Sequence, residues 1–82
     1  MVQVIVRYFA KARELTGTAE ERVELPARTD TIAIAATLGT RHPQLGQLLS
    51  CSRLAVRLAF AQGAVDLSDG DEVAVIPPVS GG

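Results

Sequence analysis

The residues of this 82-residue chain with the clearest chemical potential stand at its end. After Glu72-Val73-Ala74-Val75-Ile76 the sequence reads Pro77-Pro78-Val79-Ser80-Gly81-Gly82, and the group of interest is the main-chain carboxyl of Gly82. A carboxylate is a poor electrophile, because its leaving group would be oxide. Transfer of an adenylyl group from ATP converts it to a mixed anhydride with AMP as leaving group. A sulfur nucleophile then displaces AMP and leaves a thiocarboxylate, a soft nucleophile on a tethered arm delivered at high effective concentration. Gly81 and Gly82 lack a Cβ, so the end is thin enough to enter a narrow channel. Pro77 and Pro78 fix φ and remove two backbone donors, which stiffens the base of the arm and stops it extending a strand ladder. Six extended residues reach about 20 Å. Val79, Ser80 and Gly81 are therefore candidate residues for holding the arm in a partner's channel, and Gly82 is the candidate reactive residue.

Other chemistry-bearing residues are poorer candidates. Cys51 lies between Ser50 and Ser52, with no adjacent charge to activate a thiol for sulfur relay. His42 is the only histidine and precedes Pro43 at a helix end, where a capping or surface role is expected. Asp66, Asp69, Asp71 and Glu72 lack the continuing spacing of a calcium loop, and Asp69-Gly70-Asp71 reads as a turn. No metal and no intrinsic cofactor is expected; ATP belongs to an activating enzyme. The absence of a side-chain constellation fits chemistry at a main-chain carboxyl.

Composition narrows the function classes. Eight Lys and Arg against nine Asp and Glu leave no basic stripe for a phosphate backbone, so no nucleic-acid partner is expected. Two Phe, one Tyr and no Trp offer little for stacking a base or a cofactor ring. No apolar run approaches the ~20 residues that span a bilayer, and the N-terminus enters an alternating pattern without a leader-like stretch. A single cysteine suits a reducing compartment, so a cytosolic protein without a membrane partner is expected. A chain this short forms one domain, burying only about 60–65% of its unfolded surface.

The elements that must position the arm follow from periodicity. Val2 to Phe9 alternates in a β-branched run, with Val2, Val4, Val6 and Tyr8 on one face, and predicts a strand. Ala10 to Leu15 predicts a short helix stopped by Gly17. Glu21 to Leu25 predicts a returning strand ended by Pro26. Thr29, Asp30 and Thr31 offer N-caps for a helix over about 32–41, whose stripe Ile32, Ala35, Ala36 and Gly39 is expected to lie on the sheet. Leu45, Leu48 and Leu49 suggest a second short helix or turn. Leu54, Val56, Leu58 and Phe60 alternate with Ala55, Arg57, Ala59 and Ala61 and predict a third strand; Val65 to Leu67 is too short to assign. Gly70 suits positive φ in a turn, and Glu72 to Ile76 is the final strand. This order predicts an α+β fold of the β-grasp, ubiquitin-like type. Its mixed sheet packs on one main helix, its first and last strands pair in the centre, and residues 1–76 form the body with 77–82 as the arm.

The block from Asp69 to Gly82 closely resembles the ending of molybdopterin synthase small subunits, the MoaD family. Tyr8-Phe9-Ala10-Lys11-Ala12-Arg13-Glu14-Leu15-Thr16-Gly17 resembles that family's other hallmark, and Arg41-His42-Pro43 is also similar to it. Arg57 stands where the family often has asparagine, and the stretch from Gly63 to Ser68 is shorter. The resemblance implies that an E1-like enzyme adenylates Gly82 and sulfur then makes it a thiocarboxylate. It further implies that the arm inserts into a large synthase subunit to convert cyclic pyranopterin monophosphate into molybdopterin, in a heterotetramer. Phe9, Arg13, Ile76, Pro77 and Pro78 would form the partner surface, with Val75 and Val79 beside them. Two other functions fit the same arm: a thiocarboxylate carrier for thiamine or cysteine synthesis, and a ubiquitin-like modifier, although Lys11 is the only lysine.

Overall fold

The β-branched run forms β1 (Val2–Tyr8), with Val4, Val6 and Tyr8 buried as the alternation predicts. It leads into α1 (Ala10–Thr16), closed by Gly17 at φ 76° with its N–H bonded to the Arg13 carbonyl. β2 (Glu20–Leu25) returns antiparallel to β1, placing Val4 opposite Val23 and Val2 opposite Leu25. β3 (Arg28–Asp30) precedes α2 (Thr31–Arg41), whose N-cap Asp30 accepts a 2.7 Å hydrogen bond from the Ala33 N–H. A 3-10 turn (Pro43–Leu45) and α3 (Leu48–Cys51) follow, then β4 (Arg53–Val56), β5 (Ala59–Ala61), β6 (Ala64–Asp66) and β7 (Glu72–Ile76). This computed structural model describes residues 1–78, so the expectations placed on Val79, Ser80, Gly81 and Gly82 lie outside the described residues.

The main sheet has the order β2-β1-β7-β4-β5 and is mixed: β1 and β7 run parallel in its centre, and its other pairs are antiparallel. β3 and β6 make a separate two-stranded ribbon, in which Thr29 opposes Val65. One face of the main sheet carries Val4, Val6, Tyr8, Val23, Leu54, Val56, Val73 and Val75 into a core completed by Ala12, Ile34, Leu38 and Leu45. The turn before β7 forms as its sequence predicts. Gly70 sits at φ 87° with its N–H bonded to the Gln3 carbonyl, and Asp69 Oδ1 accepts from the Gln3 N–H at 2.8 Å.

Two sequence expectations are corrected. The face of α2 turned to the core is Ile34 and Leu38, not the stripe Ile32, Ala35, Ala36 and Gly39; Ile32 is 81% exposed. The physical reason is size, because burying one Ile or Leu side chain stabilises by about 1.5–3 kcal/mol and alanines offer far less. The small stripe has a different use. A Cβ on Gly39 would lie 3.3 Å from Leu49 Cδ1, so its smallness lets α2 approach α3 rather than the sheet.

The second correction is the third strand, which is a hairpin. Val56 pairs with Ala59, and the two residues between them, Arg57 and Leu58, take φ values of 50° and 69°. Positive φ at both centres is the requirement of a type I′ turn, whose usual signature is Asn-Gly. Arg-Leu carries no such signature, so alternation ran unbroken through the turn. Consuming two residues there reverses the parity beyond it, and Phe60 comes to oppose Ala55 on the outer face instead of joining Leu54 and Val56 in the core.

The α2 register gives a direct test. Leu38→Ala should lower the unfolding free energy by about 2–5 kcal/mol, whereas Ile32→Ala should change it by no more than about 0.5 kcal/mol. Urea titration of the two variants measures both, and equal losses would refute the assigned face.

Candidate functional site

The arm begins where β7 ends. β7 is held on both sides, by β1 through Ile5–Glu72 to Tyr8–Val75 and by β4 through Arg53–Ile76 to Val56–Val73. A strand ordered on both edges fixes the direction in which the chain leaves it. Val75 is buried in the core, Ile76 is half-buried, Pro77 is buried and Pro78 is exposed. Pro77 thus anchors the root against the body, and Pro78 is the first exposed residue after β7.

The outer face of the sheet surrounds that root. Phe9 follows β1 in an extended conformation, 43% exposed, beyond Ile5 and Arg7 on the same face. Ala74 on β7 and Ala55 on β4 are paired and buried, but they stand apart from the core cluster and form a floor on the outer side. Phe60, opposite Ala55, is 58% exposed. Two arginines lie over these aromatics: the Arg7 Cζ is 5.9 Å from the Phe9 ring centroid and the Arg53 Cζ 3.9 Å from that of Phe60. Each contact attracts the guanidinium to the ring face and keeps a large exposed aromatic in a set orientation. Arg7 is held further by Glu72, at 3.4 Å, and Glu20, at 3.9 Å. Phe9, Ile76 and Phe60 therefore form an apolar crescent over an alanine floor, beside the exit of the arm.

Of the candidate partner residues, the structure brings Phe9, Ile76, Pro77 and Pro78 to this region. Arg13 is exposed on α1, in its last turn. Phe60 is the residue that sequence reasoning missed, because the hidden turn hid its face. The one available signal was the family's asparagine at the position of Arg57, since asparagine tolerates positive φ.

A second cluster looks chemical and is structural. Glu21, at the rim of β2, accepts from the Tyr8 hydroxyl at 2.6 Å, from Arg41 Nε at 3.0 Å and from His42 Nε2 at 2.5 Å. The acceptor-only carboxylate assigns the proton to His42 Nε2. Tyr8 and His42 also meet edge to face at 5.4 Å. Burial first, then the hydrogen bond and charge of Glu21, push the Tyr8 hydroxyl above its ordinary range, while Arg41 opposes them. For Glu21, burial alone would raise the carboxyl. The hydrogen bonds from Tyr8, His42 and Arg41 outweigh it and hold the group below its usual range. His42 is thus a cap by its backbone, which donates to the Leu38 carbonyl, and a clasp by its ring.

An open groove of about 730 Å³ lies between α2, α3 and the β4–β5 hairpin, with Ile32, Ala35, Gly39, Leu49 and Leu54 among its walls. Its polar lining is limited to hydroxyls, Arg53 and Gln62. Among the described residues no group of His, Cys, Asp and Glu is placed to hold a metal ion, and no helix is long and apolar enough to cross a membrane.

The model of the ThiS family matches residues 6–82. The molybdopterin synthase sulfur carrier subunit of Homo sapiens is 38% identical, over all of this chain and 97% of the relative. Among solved structures, a molybdopterin converting factor subunit 1 of Pyrococcus furiosus superposes with a TM-score of 0.81 at 31% identity, over 96% of this chain and 100% of its own. A chain from the complex of subunits 1 and 2 of the molybdopterin-converting factor of Helicobacter pylori shares the fold, with a TM-score of 0.72 at 23% identity, over 99% of this chain and 100% of its own.

The clasp and the outer face make separable demands on substitution. Glu21→Gln should lower stability at neutral pH by about 1.5–3 kcal/mol. The Glu21 carboxyl is depressed in the fold, so its stabilisation is complete above the unfolded chain's value and disappears as pH falls through the folded one. The variant should therefore lose less stability than the parent between neutral pH and about pH 3 in urea titrations. Phe9→Ala and Phe60→Ala, on the exposed face, should leave the melting midpoint nearly unchanged.

Proposed function

The chain belongs to the ThiS family, and from that membership we propose that it is the sulfur carrier subunit of a molybdopterin synthase. The observation that carries this reading is the central, doubly paired β7, followed by a buried Pro77 and an exposed Pro78, with Val79-Ser80-Gly81-Gly82 next in the sequence. The 38% identity along the whole chain to a human protein of that name supports it. Residues 1–76 are the body and 77–82 the arm.

The mechanism uses three surfaces in turn. An E1-like enzyme binds the body and takes the Gly82 carboxylate into its nucleotide site, where attack on the α-phosphorus of ATP releases pyrophosphate and forms the acyl-adenylate. The terminal sulfur of a donor persulfide attacks the acyl carbon and AMP leaves; a thiol of the donor protein then cleaves the S–S bond of the resulting acyl disulfide, forming a disulfide with the donor and releasing Gly82 as a thiocarboxylate. The body then docks on the large synthase subunit through Phe9, Ile76 and Phe60, with Arg13 and Pro78 at the margin. Val79, Ser80 and Gly81 thread the channel that brings the sulfur to cyclic pyranopterin monophosphate. The chain contributes binding, reach and a nucleophile, and needs no side-chain acid or base. A cytosolic heterotetramer, with a small subunit at each end of a dimer of large subunits, accommodates this cycle.

Intact mass spectrometry after incubation with an activating enzyme, ATP and a sulfur donor tests the reading. The expected product carries one oxygen replaced by sulfur, located on Gly82 by fragmentation. Deleting Gly82, or adding a residue beyond it, should abolish product formation with the melting midpoint unchanged. Sulfur elsewhere on the chain, or adducts of the chain on lysines of other proteins, would overturn the assignment. Phe60→Ala and Phe9→Ala should each weaken binding to the large subunit on the order of tenfold, as loss of apolar anchors does.

A further inference from the structure

The β4–β5 turn holds a residue for which the fold gives no account. Leu58 takes a φ of 69° and is 89% exposed. A bulky side chain at positive φ is strained, and a large aliphatic left in water gains nothing from the hydrophobic effect. Its neighbour Arg57, equally strained, is fully engaged. The Arg57 N–H bonds to the Glu72 carbonyl at 3.0 Å, and its guanidinium donates to Asp71 Oδ2 at 2.5 Å and to the Asp66 carbonyl at 3.3 Å. Asp71 is fixed in turn by the Ser68 N–H at 2.8 Å. The tip of the hairpin is thus tied to the turn before β7 and to the end of β6, and it holds Leu58 out on a rigid support.

The position of that support matters. Along the hairpin, Arg53 lies opposite Ile76 at the arm root, Phe60 opposes Ala55 two residues further on, and the turn begins two residues beyond that. At about 3.3 Å per residue, the line from arm root to turn is about 13 Å long, with Phe60 near its middle. The neighbouring outer-face residues Ala55 and Ala74 are small, so Phe60 rises from a low floor between the two ends of this line.

We propose that Leu58 is a second anchor for the large synthase subunit, entering an apolar notch on that partner while the arm occupies its channel. The inference rests on the proposed docking of the outer face and extends its footprint from the arm root to the far end of the hairpin. An aliphatic side chain already held in place by its backbone loses little freedom on insertion, which is the advantage of a preorganised contact. Two anchors about 13 Å apart, at either end of one hairpin, also fix the rotation of the body about the arm, which the arm alone cannot do.

The test exploits opposite signs. Asparagine suits positive φ and has no apolar surface, so Leu58→Asn should raise the melting midpoint of the isolated chain by a few degrees. The same substitution should weaken binding to the large subunit on the order of tenfold in calorimetric titration. Leu58→Met should retain parental affinity. Parental affinity in Leu58→Asn, with Phe60→Ala weakened, would overturn the anchor and leave the outer-face docking intact. Parental affinity in both variants would remove the docking surface and the anchor together. Weaker binding accompanied by a lower melting midpoint would make Leu58 a structural residue and overturn the anchor as well.

Discussion

The parallel pairing of β1 with β7 is the constraint on which the rest of the structure depends. It joins residues 5–8 to residues 72–75, so nearly the whole chain is the crossover between two adjacent strands. A parallel pair cannot be closed by a tight turn and needs intervening structure on one face of the sheet. Here α2 supplies that cover through Ile34 and Leu38. Val6, Tyr8, Val73 and Val75 all face the core from these two strands. The pairing also sets the Phe9 end of β1 beside the end of β7, so the exposed aromatic and the root of the C-terminal segment share one origin.

Two kinds of polar fastening hold the periphery to this centre. Near the end of α2, Glu21 gathers Tyr8, Arg41 and His42, joining β2, β1 and the helix terminus in one carboxylate. At the opposite end of the sheet, Asp71 gathers Ser68 and Arg57 and steadies the β4–β5 turn. Both are carboxylates receiving more than one donor, and such charge-assisted hydrogen bonds are stronger than neutral ones.

Much of this was legible in the residues. The alternation of Val2 to Tyr8, the stop at Gly17, the cap at Asp30 and the turn at Gly70 each follow from local stereochemistry and stand where expected. What was not legible depends on tertiary choice. The core face of α2 was not legible because Ile32 and three small residues at helical spacing look like a packing stripe, whereas Ile34 and Leu38 bury more surface. The ribbon of β3 and β6 is three residues long in each strand and gains its identity only from pairing. The β4–β5 turn was invisible because its backbone demands are met by Arg57 and Leu58 rather than by glycine or asparagine. That single omission carried Phe60 to the wrong face and concealed part of the candidate surface.

The double pairing of β7 has a mechanical side. Tension on the arm is directed along the axis of a strand whose hydrogen bonds run crosswise to β1 and β4. Such a load falls on both ladders in shear, so the bonds yield together rather than opening one by one like a zip. On the proposed cycle, withdrawal of the arm from its partner's channel would then leave the body intact for another round.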